Sequence, residues 1–196
     1  MNDKITRWSS KPIGKGKRKE NSQISWIPPR SGSLKIKVDG AFLEREGAGA
    51  VSWVCRDSSG MLIDGFASSV QVRSPLHAET LALLEALKWL NSRGFEEKEC
   101  KEIELESDNL FLVRMLQGTD QVSWEVHALM RESKDLLIRV KGLRLAHCAR
   151  TQNKVADWIV KAQVHNILPL NWVFNPPQAL WDLLCSEALF VYLSTV

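Results

Sequence analysis

Leu34-Lys35-Ile36-Lys37-Val38-Asp39 alternates apolar and polar side chains without a break, placing Leu34, Ile36 and Val38 on one face and Lys35, Lys37 and Asp39 on the other. A two-residue period of this kind is the mark of a half-buried strand, here with an aspartate at the end of its polar face. Two further runs, Ala50 to Arg56 and Met61 to Ala67, flank Asp57-Ser58-Ser59-Gly60. Those four are turn formers, so the runs read as a hairpin, and the first three strands should be antiparallel neighbours. Ile103, Leu105 and Ser107 then alternate with Glu104, Glu106 and Asp108, a fourth strand whose polar phase also finishes on an aspartate.

Between these strands lies the clearest helix. Pro75 opens a stretch from His77 to Asn91 dense in Ala, Leu, Glu and Lys, and Gly94 follows as a stop signal; such side chains lose little rotamer freedom in a helix. Residues 109 to 117 and 122 to 139 carry apolar groups at helical spacing with Gly118 between them, Gly142 to Cys148 reads as a fifth strand, and a helix follows from Lys154 to Val164. Three strands, helix, strand, helices, strand, helix describes an α/β fold. Its five-stranded mixed sheet, three antiparallel strands then two parallel, is flanked by helices.

The length of 196 residues suits one domain with tails. Residues 1 to 25, rich in Lys, Ser, Gly and Asn, lack the apolar groups needed to offset ordering entropy and are expected to form a disordered basic arm. Residues 1 to 30 hold eight Lys or Arg against Asp3 and Glu20, so this end is basic and the remainder mildly acidic. Lys15-Gly16-Lys17-Arg18-Lys19 reads as a nuclear import signal, a phosphate-binding arm or a solubilising tail. It favours the nucleus, while an organelle-targeting segment stays open. Trp26-Ile27-Pro28-Pro29 marks entry to the folded domain, expected over residues 26 to 165. Residues 166 to 196, with Pro169, Pro176 and Pro177 before a short Leu-rich helix, form a C-terminal extension. Cys55, Cys100, Cys148 and Cys185 are scattered, suggesting neither zinc nor disulfides and a reducing compartment. No run reaches the ~20 apolar residues that span a bilayer, so a soluble intracellular monomer without membrane contact is expected.

One strand-end aspartate means little, since most carboxylates are simply solvated. Here two strands each end on one, a helix begins near Glu79, and the last helix carries Asp157 in its first turn. If these converge at one rim of the sheet, their mutual repulsion calls for divalent cations. Magnesium prefers octahedral oxygen coordination and keeps waters, which suits carboxylates facing a substrate phosphate. Two such ions perform phosphodiester chemistry.

Lys37-Val38-Asp39-Gly40-Ala41, His77-Ala78-Glu79, Glu106-Ser107-Asp108-Asn109 and the run from His147 to Asp157 together resemble the plant ribonuclease H-like domains, relatives of the ribonuclease H of retrotransposon reverse transcriptases. The resemblance covers residues 26 to 165 and implies a ribonuclease H-like fold. It implies that Asp39, Glu79, Asp108 and Asp157 bind two Mg2+ ions, with Mn2+ as a substitute. It makes His147, a residue type that titrates at about 6.5, the group for proton transfer or product release. Gly40, Asn109, Arg150 and Asn153 become substrate-side candidates, Arg150 for phosphate and Asn153 also as a brace for its turn. Ala149 departs from the proline that family members commonly carry there. His77 is expected to be structural, and most of the eight tryptophans to be core, Trp158 alone lying near the site.

The implied activity is endonucleolytic hydrolysis of the RNA strand of RNA/DNA hybrids. The alternatives are a catalytically inactive nucleic-acid-binding module of retrotransposon origin, or a protein-interaction domain acting through the residue 166 to 196 extension.

Overall fold

A computed structural model describes residues 26–94 and 102–194, the last six in backbone only. The basic arm of residues 1 to 25 and Cys100 lie outside the described residues. The strands are β1 (Leu34–Leu43), β2 (Ala48–Asp57), β3 (Leu62–Gln71), β4 (Ile103–Ser107) and β5 (Leu143–His147). The helices are α1 (Pro75–Arg93), α2 (Leu110–Gln117), α3 (His127–Arg139), α4 (Lys154–Val164) and α5 (Gln178–Ser194). The five strands form one sheet in the order β3-β2-β1-β4-β5. β1, β2 and β3 are antiparallel neighbours, while β4 runs parallel to β1 and β5 parallel to β4. This is the mixed sheet expected from the order of elements.

α1, α2 and α3 cover one face. Ile36, Val38, Trp53 and Leu105 of the sheet pack there against Leu83, Leu87, Met115 and Met130, and Trp53 lies tilted against Trp89 with ring centroids 4.6 Å apart. α4 and α5 cover the other face, where Val54 meets Val155, Ile159, Trp172, Leu180 and Leu184. α1 begins as its sequence dictates, with Ser74 Oγ accepting the His77 backbone N–H and Pro75 in the first turn, and it ends on Gly94 in the left-handed conformation.

The reading of β1 as half buried is corrected. Lys35 and Lys37 are only 4% and 3% exposed. α4 packs on β1 as α1 does, so both faces of the strand are covered, and the lysines survive there because β4 sets Glu104 and Glu106 opposite them. Lys35 Nζ lies 2.8 Å from Glu104 and 3.0 Å from Glu106, and Lys37 bonds Glu106 directly. A buried charge is tolerable when paired in this way. β1 also continues past Asp39 to Leu43, so the aspartate sits within the strand rather than at its end.

The residues after α4 pack closely on the sheet. Trp172 is buried against Gly65 of β3, where a Cβ would lie 2.2 Å from the indole. Arg56 is fully buried and gathers both ends of the described chain. It pairs with Glu187 of α5, donates to the Leu184 carbonyl at 3.2 Å, and stacks 4.0 Å from the centre of the Trp26 ring. The C-terminal helix is thus longer than the short one expected, and its inner face is occupied. Among the described residues no helix is long and apolar enough to cross a membrane.

Candidate active site

The register of β1 and β4 creates the site. Their parallel pairing matches Lys37 with Glu106 and Val38 with Ser107, so the next residues, Asp39 and Asp108, come level at the same rim. Glu79 arrives from the opposite side, on the second turn of α1. Gly40 admits it: a Cβ there would lie 2.4 Å from the Ala78 carbonyl carbon and 2.5 Å from the Glu79 nitrogen. Only glycine lets the helix lie that close to β1.

Carboxylate oxygens of Asp39, Glu79 and Asp108 lie within 4.8 Å of one another. Burial, then the charges of Asp108 and Asp157, pushes the Asp39 carboxyl up to about 7. Burial, then the charges of Asp39 and Asp108, pushes Glu79 up to about 9. Both shifts favour the neutral carboxyl, as burial beside like charges should.

Asp157 stands in the first turn of α4 and is held there from two strands. Asn153, just before the helix, donates its side-chain amide to the Val38 carbonyl at 3.0 Å, and Ser52, the β2 partner of Asp39, donates its hydroxyl to the Ala156 carbonyl at 3.0 Å. Asp157 Oδ2 accepts from Lys161 at 2.6 Å, and its other oxygen lies 4.0 Å from Arg150. All four carboxylates line one open cleft of about 590 Å³, together with Gly40, Asn109, Arg150 and Lys161.

The remaining candidates sort by position. His147 is exposed at the end of β5, level with Ser107. Asn109 caps α2, its Oδ1 accepting the Leu112 N–H at 3.0 Å, while it still lines the cleft. Asn153 is 0% exposed and donates its side-chain amide to β1, the arrangement expected of a brace, while its Oδ1 is buried without a hydrogen-bond partner. His77 serves the turn before α1, its Nδ1 accepting the Arg73 N–H at 3.2 Å, in keeping with a structural role. Two groups had escaped the sequence reading. Lys161 could have been found from its four-residue spacing to Asp157, whereas Ser52 carried no local signal.

The donor set fits a divalent cation. Three carboxylates supply hard oxygen ligands, and Glu79 Oε2 is buried with no hydrogen-bond partner, a cost that an ion would relieve. Asp157 stands beside this trio in the same cleft, with its charge still felt at Asp39.

A family model described as reverse transcriptase-like matches residues 37–163, from the strand that carries Asp39 to the end of α4. The chain belongs to the reverse transcriptase-like family. All four carboxylates fall inside this reverse transcriptase-like segment. A curated Arabidopsis thaliana protein, provisionally named a ribonuclease H protein, is 26% identical over 168 residues, which is 85% of this chain and 26% of that protein. The chain thus spans about a quarter of the length of that relative. Among solved structures, ribonuclease H1 of the archaeon Halobacterium salinarum has a TM-score of 0.60 at 22% identity, covering 69% of this chain and 99% of its own. A ribonuclease H1 isolated from compost by metagenomics gives 0.61 at 24% identity, with 69% and 97% covered. The same compost enzyme bound to an RNA/DNA hybrid gives 0.59 at 23%, with 68% and 98% covered. These likenesses establish that the reverse transcriptase-like segment has the ribonuclease H-like fold.

Proposed function

We infer that this chain is a metal-dependent endonuclease that hydrolyses the RNA strand of RNA/DNA hybrids. The carrying observation is the close trio of buried Asp39 with half-buried Glu79 and Asp108, in which Glu79 Oε2 is buried without a hydrogen-bond partner and Asp157 stands alongside. A solvated acidic patch would have neither the burial nor the unmet oxygen. The names of the Arabidopsis relative and of the structural neighbours, one of them solved with a hybrid, support the same reading.

Asp39, Glu79, Asp108 and Asp157 would hold two Mg2+ ions, or Mn2+ in their place. When bound, such ions activate the attacking water and stabilise the leaving oxygen. The protein's own groups do the rest. Arg150, 82% exposed at the rim, is free to swing onto a backbone phosphate with charge-assisted hydrogen bonds. Asn109 and Gly40 shape the floor on which the scissile strand lies. Exposed His147 carries protons between bulk water and the cleft mouth, and contacts to 2′-hydroxyls select RNA over DNA. Burial and mutual repulsion hold the Asp39 and Glu79 carboxyls well above the usual range, and divalent cations bound there would favour their ionised forms.

The test is cleavage of a labelled RNA/DNA hybrid in magnesium by the full chain and by its Asp39→Asn and Asp108→Asn variants. Cleavage by the parent alone supports the reading. A folded parent that binds the hybrid and never cuts it overturns the enzyme in favour of a binding module.

A further inference from the structure

Asp157 differs from its three companions in one respect: it already has a cation. Lys161, one turn further along α4, reaches Asp157 Oδ2 at 2.6 Å, in the favourable order of acid before base at four-residue spacing. Both side chains line the carboxylate cleft, and Asp157 stands outside the tight trio formed by Asp39, Glu79 and Asp108. Lys161 is nonetheless 61% exposed, so it is neither fixed by packing nor buried against a neighbour. Its ammonium is a compact charge on a flexible four-carbon stem, able to change partners without moving α4.

We propose that Lys161 is a resident counter-cation for the fourth carboxylate, holding Asp157 while the site lacks metal and transferring to a backbone phosphate of the nucleic acid when Asp157 turns to a divalent ion. This deepens the nuclease reading and rests on it for the phosphate half. Lys161 is a positioning residue: it keeps Asp157 oriented and its charge paired before metal arrives. The hold is weak by design. An exposed pair at this spacing is worth about a twofold factor in an equilibrium, so a divalent ion displaces it readily. Once released, the ammonium lies in the cleft that must receive a polyanion, where one phosphate contact contributes about 0.9 to the slope of log affinity against log salt.

Two measurements on the full chain separate the halves. Without nucleic acid, calorimetric titration with Mn2+ should show Lys161→Met binding the ion about twofold more tightly than the parent, because the competitor is gone. Lys161→Arg, which keeps the charge, should match the parent. Unchanged or weaker Mn2+ binding by Lys161→Met overturns the resident-cation role. Hybrid binding across a salt series should then be compared in Ca2+ and in chelator. The Lys161→Met variant should lose about one unit of salt slope in Ca2+ and none in chelator, with Lys161→Arg restoring it. An equal slope for parent and Lys161→Met in Ca2+ overturns the transfer. If no variant binds hybrid at all, the nuclease reading fails and the transfer falls with it, while the Mn2+ result still decides the resident-cation role.

Discussion

Gly40 and Glu79 touch through their backbones: a Cβ on Gly40 would come within 2.5 Å of the Glu79 nitrogen. The approach of α1 to β1, and hence of Glu79 to Asp39, depends on a missing methyl group. Gly40→Ala should therefore push the helix outward, destabilising the fold by about 1–3 kcal/mol as an overpacking change. It should also cost hybrid cleavage on the order of a hundredfold, since sub-ångström placement of the carboxylates is lost. Thermal melting alongside cleavage rates would check both. Full activity in Gly40→Ala would refute the role given to this contact.

Metal should couple to pH. Asp39 rises from an ordinary 3.8 to about 7 and Glu79 from 4.5 to about 9, so the folded protein keeps protons that the unfolded chain releases. That contribution is fully present below about pH 4 and is lost progressively as pH climbs towards 9. Metal-free protein should consequently melt lower at pH 8.5 than at pH 6. Mg2+ should raise the melting temperature more at the higher pH, because fewer protons must be displaced there. A Mg2+ shift that is the same at both values would contradict the coupling.

Asn153 carries a role visible only in three dimensions. Asn153→Ala removes the bond to the Val38 carbonyl and leaves that acceptor buried, a loss of about 1–3 kcal/mol measurable by urea denaturation. Because the bond sets α4 on β1 one residue before Asp39, cleavage should fall through kcat with KM little changed. A raised KM at unaltered kcat would mean that Asn153 meets substrate after all.

The Arg56–Glu187 pair offers a test of how deeply α5 belongs to the fold. Glu187→Ala strands a buried guanidinium between Trp26 and the sheet, and should destabilise by about 3–5 kcal/mol. The double change Arg56→Met with Glu187→Leu should be far milder, since it leaves no unpaired charge. Chemical denaturation of the three proteins gives the answer; equal losses in single and double variants would show that the pair is not what anchors the helix.

Most of this architecture can be read in the chain because it is written locally. The alternations of β1 and β4, the capped helix from Pro75 and the motif from His147 to Asp157 each announce themselves within about a dozen residues, and three of the four carboxylates do come together as those elements imply. What stayed hidden depends on distant partners. Lys35 and Lys37 looked like a solvated face, because periodicity distinguishes polar from apolar and cannot see a second roof over the strand. Arg56 meets Glu187 across 131 residues, and no spacing rule connects them. Asn153 was legible as a turn residue; that its amide points inward required the position of Val38.

The buried lysine–glutamate rungs between β1 and β4 have a consequence for the cleft several ångströms away. Pairing of parallel strands is indifferent to sequence in its backbone bonds, so something else must choose the alignment. A slip of one residue would turn each lysine toward a partner facing the wrong side of the sheet. A slip of two would set Lys35 against Glu106 and Lys37 against Asp108, spending a carboxylate of the cleft on a lysine and carrying Asp39 past the end of β4. A slip of two the other way would set Lys35 against Glu102 and Lys37 against Glu104, and would bring Asp39 level with Glu106 in place of Asp108. The charged rungs thus forbid the odd alignments, and of the even ones the observed alignment is the one that stands Asp39 and Asp108 side by side at the open rim.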